Sequence, residues 1–297
     1  MTEVSAVGGA LSAPDTDAAQ RKRAPRNWRP LLLLLPAFVI VSLFFLAPLI
    51  DVFIRSVTDP QPGLQNYVWL FTTEANMVVA VRTFGTSFVV TLVCLVLAYP
   101  YAYLMTVVTD RTRNLLQLFV MLPLWTSILV RTLAWMVLLQ DTGPINAFLQ
   151  SAFGIGPLPL IRTTFGVALG MVQVLLPFMV LPLYSSLEKM DHSLIEAAQD
   201  LGCPPVTAFW KITFPLSVPG VVAGCLLVFI PAVGEFVIPD LLGGSQTLMI
   251  GRTLWNEFFS NRDWPVSSAV AVILLLILIV PIVLFQQAQA RAQEAGR

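Results

Sequence analysis

Residues 31–50 read LLLLLPAFVIVSLFFLAPLI, a run of apolar side chains without a single charge. An α-helix rises about 1.5 Å per residue, so about 20 apolar residues are enough to cross a hydrocarbon core about 30 Å thick. The stretch is therefore predicted to be a membrane-spanning helix, and it assigns the chain to the all-α membrane proteins.

The composition of the whole chain supports this assignment. Of its 297 residues, 57% are hydrophobic and 11% are charged, whereas about 25% of an ordinary soluble domain is charged. Basic and acidic residues number 17 each, which gives no basic footprint for nucleic acid. A single histidine and three widely separated cysteines predict neither a metal site nor a disulfide scaffold. Most soluble enzyme classes are thereby excluded.

Five more apolar segments follow the first one, so six membrane helices are predicted. Their approximate bounds are 31–53, 80–107, 115–139, 163–187, 216–240 and 266–285. Prolines inside several of them are compatible with bundled membrane helices, and the alternating ten-residue segments of an outer-membrane barrel are absent. The predicted organisation is a transmembrane domain at 30–286, preceded by a disordered basic tail at 1–29 and followed by a short tail at 287–297.

The distribution of basic residues predicts the orientation of these spans. If the N-terminus is cytoplasmic, the cytoplasmic segments contain 11 of the 17 lysines and arginines, in agreement with the positive-inside rule. Both termini are then cytoplasmic, as an even number of spans requires.

The longest cytoplasmic loop, residues 188–215, reads EKMDHSLIEAAQDLGCPPVTAFWKITFP. Apolar residues at helical spacing predict a short amphipathic helix, with Ser193 and Glu196 as a capping box and Gly202 as its C-terminal stop. A second short helix is predicted at 206–213. An apolar face on a cytoplasmic helical pair calls for a partner surface.

This loop resembles the cytoplasmic signature of ATP-binding-cassette (ABC) importer permeases of type I. That signature is Glu-Ala-Ala, three residues, Gly, nine residues, Ile, one residue and Leu-Pro, and the only departure here is Phe214 in place of Leu. In the family the loop docks into a groove of the ATPase subunit and couples its closure to the spans. The resemblance implies that role for Glu196, Ala197, Ala198, Gly202, Phe209, Ile212 and Pro215. The alternative is that Glu196 only caps a helix and the alanines only pack.

The resemblance also implies partners. A permease of this type works in the cytoplasmic (inner) membrane with a second homologous permease, two cytoplasmic ATPase subunits and a periplasmic or extracellular binding protein. No G-x-x-x-x-G-K-[ST] phosphate loop occurs in the chain, so ATP and Mg are expected on the ATPase subunit. The chain itself is expected to bind no cofactor, to contain no catalytic residues and to be no enzyme.

Within the permeases, several segments resemble the polyamine branch, with the putrescine permeases nearest and the spermidine permeases next. These segments are 176–180, 182–189, 223–244, 248–252 and 261–265. They imply import of a polyamine, with putrescine first and spermidine second. Three alternatives are import of another small solute (amino-acid-like or metal-chelate), an ion-coupled carrier or channel, and a membrane-embedded enzyme.

Two acidic residues near the outer end of the fifth span are candidates for the substrate path. A charge at membrane depth usually faces a cavity or a partner, and Glu235 and Asp240 suit a substrate with two ammonium groups. On a straight helix they would point about 140° apart, but nearby prolines and Gly234 favour a break that brings both to one passage. The alternative for Glu235 is an internal pair with Arg131 or Arg82.

Three aromatic residues are candidates for cation–π contacts with the substrate, each worth about 0.5–2 kcal/mol. They are Trp125, Trp135 and Tyr184. For each of them taken singly, packing in the bundle or anchoring at the membrane interface is the alternative.

Overall fold

The structure is a computed structural model that describes residues 29–191 and 193–295. Within those ranges it contains helices and no strand, which confirms the all-α prediction. The described part of the chain divides into two compact units, with the division between Leu49 and Ile50. The predicted tail at 1–29 lies outside the described residues except for Arg29.

The helices, in chain order, are as follows. α1 (Arg29–Val41) continues through a π turn (Ser42–Leu46) into α2 (Ala47–Thr58), and then come α3 (Gln65–Thr72), α4 (Glu74–Val107), α5 (Asp110–Met121) with a 3-10 turn (Leu122–Trp125), α6 (Ile128–Leu138), α7 (Pro144–Phe153) and α8 (Thr164–Glu188). The second half contains α9 (Ser193–Asp200), α10 (Pro205–Ala208) with a π turn (Phe209–Thr213), α11 (Phe214–Gly234), α12 (Val237–Leu242), a 3-10 turn (Ser245–Thr247), α13 (Ile250–Trp255) with a π turn (Asn256–Ser260), and α14 (Trp264–Ala295).

Five of the described helical stretches are long and apolar enough to cross a membrane. They are Leu34–Thr58, Glu74–Val107, Thr164–Glu188, Pro205–Gly234 and Trp264–Val283. A sixth candidate is a bent pair, Asp110–Trp125 and Ile128–Leu138, whose axes meet at 94°. Counting this pair as one span gives the six spans expected from the sequence.

The third span is the one that departs most from its predicted form, a continuous helix at 115–139. The chain leaves helical geometry at Thr126, where φ is −100° and ψ is 146°. Thr126 donates from both its backbone N–H and its hydroxyl to the carbonyl of Pro123, at 3.2 and 2.9 Å. These local bonds close the first arm, and α6 begins in a new direction two residues later.

The fifth and sixth spans also differ from their predicted bounds. The predicted fifth span, 216–240, ends early because Glu235 adopts an extended conformation after Gly234. α14 continues past residue 285 to Ala295, because the polar end of this segment is rich in Ala, Gln, Arg and Glu, which favour helix. The predicted tail at 287–297 is therefore helical as far as it is described.

The core of the second unit lies where α4, α8 and α11 pack on one another. α8 approaches α11 closely at Gly220, where an added Cβ would collide with the Cβ of Ser186 and stand 2.9 Å from the Pro182 carbonyl oxygen. The helices are similarly close at Gly224, where an added Cβ would stand 2.7 Å from the sulfur of Met179. Small residues at such crossings let membrane helices approach each other. The short helix α12 packs on both α6 and α8.

Candidate coupling surface and substrate passage

The first half of the loop forms α9 and stops as predicted. Gly202 has φ +80°, a left-handed conformation that glycine adopts without steric cost. The backbone N–H of Cys203 donates to the Ala198 carbonyl at 3.0 Å, and that of Gly202 to the Gln199 carbonyl at 2.8 Å. This pair of bonds is the Schellman motif that closes many helices. Gly202 therefore fixes where the chain turns back toward the membrane.

The start of α9 differs from the predicted capping box. The Ser193 backbone N–H donates to the Asp191 carboxylate at 3.0 Å. Glu196 is exposed and, within the described residues, makes no hydrogen bond and no ion pair. A single exposed carboxylate on the first turn of this helix is thus available to another protein.

The second short helix of the loop is continuous with the fifth span. α10 begins at Pro205, passes through the π turn and enters α11, so that one helical stretch runs from Pro205 to Gly234. The second half of the loop and the fifth span are therefore joined without an irregular segment between them.

The loop exposes a set of large apolar side chains. Leu201 is 89% exposed and Trp210 is 58% exposed, and Leu194 and Val206 are exposed on the same segment. Exposed apolar residues clustered on one segment are typical of a protein–protein contact. The remaining members of the signature lie in the same segment: Ala197 and Pro215 exposed, Ala198 and Ile212 half-buried.

Aromatic contacts connect the loop to α4. The ring of Phe209 lies edge-on to Tyr99, with centroids 5.5 Å apart, and to Tyr103 at 6.4 Å. The hydroxyl of Tyr99 hydrogen bonds with that of Ser217 at 2.8 Å, and its ring lies 6.1 Å from Phe214. Phe209 thus contacts two aromatic rings of a second membrane helix, and Phe214 contacts one of them.

Phe209→Ala is expected to weaken this connection without unfolding the protein. A fully buried Phe→Ala change costs about 3–5 kcal/mol, and the half-buried Phe209 should cost roughly half of that. We expect at least a five-fold fall in solute transported per ATP hydrolysed in proteoliposomes. The matched control is Phe148→Ala, an exposed phenylalanine on α7, and equal losses in the two variants would contradict the assignment.

Glu235 lies at the predicted break, between α11 and α12. Its Oε1 accepts hydrogen bonds from the backbone N–H groups of Val237 at 3.0 Å and Ile238 at 3.3 Å. The carboxylate thus caps α12, while Oε2 accepts no hydrogen bond within the described residues. Sequence reasoning anticipated the break but not the capping role.

Asp240 lies on α12 and forms an ion pair with Arg252 of α13, with 2.9 Å between Oδ2 and Nη1. Arg252 was missed at the sequence level, since the two residues are twelve positions apart and no periodicity links them. The pair joins two short helices between the fifth and sixth spans.

The alternative internal pairs of Glu235 are absent from the described ion pairs. Arg82 instead donates to the Leu248 carbonyl at 3.5 Å. Arg131 has a buried Nε and a buried Nη1, and neither has a hydrogen-bond partner among the residues that the structure describes. Glu235 is therefore held by backbone groups and not by a fixed counter-charge.

The three aromatic candidates lie in different places. Trp125 ends the first arm of the bent span and is 73% exposed. Trp135, on α6, donates from its indole N–H to Gln173 at 3.2 Å. Tyr184 is 7% exposed and donates to Glu188 at 2.6 Å, at the opposite end of α8 from the residues that contact α12. Of the five path candidates, Trp135, Tyr184 and Asp240 lie on helices that pack on one another, α6, α8 and α12, but Tyr184 is at the far end of α8 from α12.

A cavity of about 380 Å³ lies beside the break at Glu235 and was not foreseen from the sequence. Gly234 and Phe236, the neighbours of Glu235, contribute to its wall, together with Trp255 and Phe259. Phe236 stacks on Trp255 at 4.9 Å, and Trp255 lies 4.2 Å from Phe259. Aromatic faces attract organic cations, and here they line a cavity whose wall includes the two chain neighbours of Glu235. No cluster of potential metal ligands occurs in the part of the chain that the structure describes.

Comparison with known proteins places the chain among transport components. Residues 95–293 match the family model described as binding-protein-dependent transport system inner membrane component. The chain is 39% identical over 227 residues to the spermidine/putrescine transport system permease protein PotB of Haemophilus influenzae, covering 76% of this chain and 79% of that protein. It is 37% identical to PotB of Escherichia coli over 253 residues, covering 85% and 90%. A probable molybdenum ABC transporter permease of Haloferax volcanii is 33% identical over 248 residues, covering 80% and 82%.

Solved structures show the same fold. A chain of a bacterial alginate ABC transporter in complex with an alginate-bound periplasmic protein superposes with a TM-score of 0.74 at 18% identity, covering 90% of this chain and 96% of that chain. A chain of the methionine transporter MetNI, in an inward-facing conformation, gives a TM-score of 0.51 at 17% identity, covering 75% and 99%.

Proposed function

The chain belongs to the binding-protein-dependent inner membrane components of ABC transporters, and we propose that it is the permease subunit through which an ATP-driven importer moves a polyamine into the cell. As a permease it has no catalytic role, and ATP hydrolysis belongs to a separate subunit. Its relatives at 37–39% identity are spermidine/putrescine permeases. Putrescine is the substrate that we favour, with spermidine second, and the resemblance to the putrescine permease PotH stays a prediction.

The cycle that we propose starts at the coupling loop. Both termini and residues 188–215 face the cytoplasm, where the exposed apolar surface and Glu196 dock on one of two ATPase subunits. ATP-driven closure of the ATPases pushes on the loop and turns the passage outward. A binding protein outside the membrane then delivers the substrate, which leaves inward when the ATPases reopen. A second homologous permease completes the passage.

The observation that carries the substrate proposal is the break at Glu235. One oxygen of the Glu235 carboxylate accepts no hydrogen bond within the described residues, and the neighbouring residues Gly234 and Phe236 line a cavity walled by aromatic rings. A carboxylate attracts an ammonium group, and aromatic rings attract an alkyl-ammonium chain. An oxyanion would be repelled by both, which favours a polyamine over the molybdenum-type solute named for one relative.

The test is substrate-stimulated ATP hydrolysis by the reconstituted complex in liposomes with its binding protein. Putrescine, spermidine, molybdate and a neutral sugar are each offered at the same concentration. We expect both polyamines to stimulate hydrolysis and the other two to leave it at its basal rate. Stimulation by molybdate or the sugar alone would overturn the substrate proposal and leave the family membership intact.

Glu235→Gln is expected to slow polyamine transport roughly ten- to hundred-fold. A hydrogen bond to a charged group contributes about 1.5–3 kcal/mol, and glutamine removes that charge. Because the glutamine Oε1 can still accept from Val237 and Ile238, the cap on α12 is preserved. The measurement is uptake of radiolabelled putrescine as a function of its concentration.

The matched control for this variant is Glu74→Gln, the same change at an exposed position in the first turn of α4. Uptake by Glu235→Gln at the rate of this control would show that Glu235 is only a helix cap. The substrate path would then have to be sought elsewhere.

A further inference from the structure

A chain of polar contacts connects α5 to the end of α8. The Tyr184 hydroxyl donates to Glu188 Oε1 at 2.6 Å. Arg113 Nη1 lies 3.9 Å from the same oxygen, and Arg113 Nη2 lies 2.8 Å from Asp110. Glu188 is the last residue of α8 and the first of the loop at 188–215. The contacts therefore meet at the point where the coupling loop begins.

Arg113 is enclosed at this point rather than free in solvent. Its side chain is 28% exposed, and its Nε is buried without a hydrogen-bond partner. α5 packs on both α4 and α8, and the Tyr101 hydroxyl of α4 donates to the Leu116 carbonyl of α5 at 2.8 Å. The guanidinium group is thus held against the end of α8 by the packing of its own helix.

The pair has a distinctive place among the ion pairs. Of those in the described ranges, only Arg113–Glu188 and Asp240–Arg252 join different helices, since the others lie within one turn or so of each other along the chain. The loop already continues into α11 and contacts α4 through Phe209. Within the described residues, the bent third span is neither continuous with the loop nor in ring contact with Phe209. Arg113–Glu188 is its ionic connection to the loop.

We propose that Arg113 and Glu188 are positioning residues that transmit movement of the coupling loop to the bent third span. When the loop moves, Glu188 moves with it and draws α5 along, and the break at Thr126–Ser127 lets α6 change its angle to α5. Because Glu188 is 51% exposed and lies 3.9 Å from Arg113, the pair adds little to stability, so its effect is expected in coupling rather than in folding. The inference rests on the proposed ATP-driven movement of the loop.

The main test measures that movement and does not require the substrate to be known. Nitroxide labels are placed at Val96→Cys on α4 and Leu133→Cys on α6, both exposed. Cys203 and Cys225 are replaced by serine, whereas Cys94 is buried and stays. The distance between the labels is measured in the full complex, nucleotide-free and after vanadate trapping with ATP. In the otherwise unchanged chain we expect trapping to change the distance between the labels. In Arg113→Gln we expect at least four-fifths of that change to be lost.

Two further variants and a second measurement separate transmission from structure. Arg111→Gln is the matched control, an exposed arginine on the same helix, and should respond like the unchanged chain. The double variant Arg113→Glu with Glu188→Arg should restore most of the distance change. In Arg113→Gln we expect basal ATP hydrolysis to persist while its stimulation by loaded binding protein falls at least five-fold.

Each result decides the inference. A full distance change in Arg113→Gln, or none in the unchanged chain, would overturn it. Failure of the double variant together with a lower melting temperature would also overturn it, because the residues would then be structural. If the distance responds as expected but no polyamine stimulates hydrolysis, the inference stands and the substrate proposal fails.

Discussion

Glu196→Lys is expected to abolish polyamine uptake. Glu196 is exposed on the first turn of α9 and makes no hydrogen bond or ion pair within the described residues. If its carboxylate pairs with the ATPase subunit, reversing its charge leaves a buried partner charge unpaired, which costs about 2–5 kcal/mol at an interface. That corresponds to roughly a thirty-fold loss or more, and we expect the ATPase subunit to dissociate or to hydrolyse ATP without transport.

The measurement separates these two results. Co-purification of the ATPase subunit reports assembly, and uptake per ATP hydrolysed reports coupling. Asp200→Lys makes the same change of charge on an exposed residue of the same helix, outside the signature. This variant should lose much less of its polyamine uptake than Glu196→Lys. Normal uptake by Glu196→Lys would mean that the carboxylate is a local helix feature and that the docking assignment is wrong.

Gly220→Val is expected to prevent the stable association of α8 with α11. The first added atom, Cβ, already overlaps Ser186 and the Pro182 carbonyl, and the backbone of α8 cannot rotate away as a side chain could. Overpacking of a tight core costs about 1–3 kcal/mol, and a branched side chain against backbone belongs at the upper end. A cost of about 3 kcal/mol lowers the melting temperature by roughly 6–12 °C in a chain of this size.

The control for this substitution lies on the same helix. Gly234 has open space around its Cβ position, so Gly234→Ala should leave the melting temperature of the purified complex within about 2 °C of the parent, in keeping with the small effects of uncrowded substitutions. Gly220→Ala should already show a measurable part of the fall in melting temperature that is expected for Gly220→Val. Equal melting temperatures for Gly220→Val and Gly234→Ala would show that the crossing of α8 and α11 accommodates the larger side chain, and the prediction would be wrong.

The parts of the fold that could be predicted from the sequence are those specified by neighbouring residues. Hydropathy over about 20 residues identifies a span wherever it occurs, and the stop at Gly202 depends on a local left-handed turn. The bent third span was missed because proline occurs inside several helices here without bending them by 94°. What differs at Pro123 is the pair of bonds from Thr126, and their geometry cannot be inferred from composition.

The candidate site shows the same division. The break after Gly234 was anticipated from Pro231, Gly234 and Pro239, which are local signals. The partners of Glu235 and Asp240 were not anticipated. Those of Glu235 depend on the direction of the chain after the break, and that of Asp240 is Arg252, in a separate helix. Tyr184–Glu188 is an exception, since a spacing of four residues on a helix places the two side chains together and could have been recognised.

The bent third span has a further consequence for the lipid around the protein. Its arms measure about 26 and 16 Å from their rise per residue, so at 94° their ends are only about 30 Å apart, close to the thickness of the hydrocarbon core. The 34-residue α4, by contrast, is about 51 Å long at 1.5 Å per residue, which is well above the thickness of the hydrocarbon core. In a thicker bilayer the third span can be matched by straightening of the bend, besides local thinning of the lipid around it. We therefore expect acyl-chain length to be one of the influences on the angle between the two arms of this span.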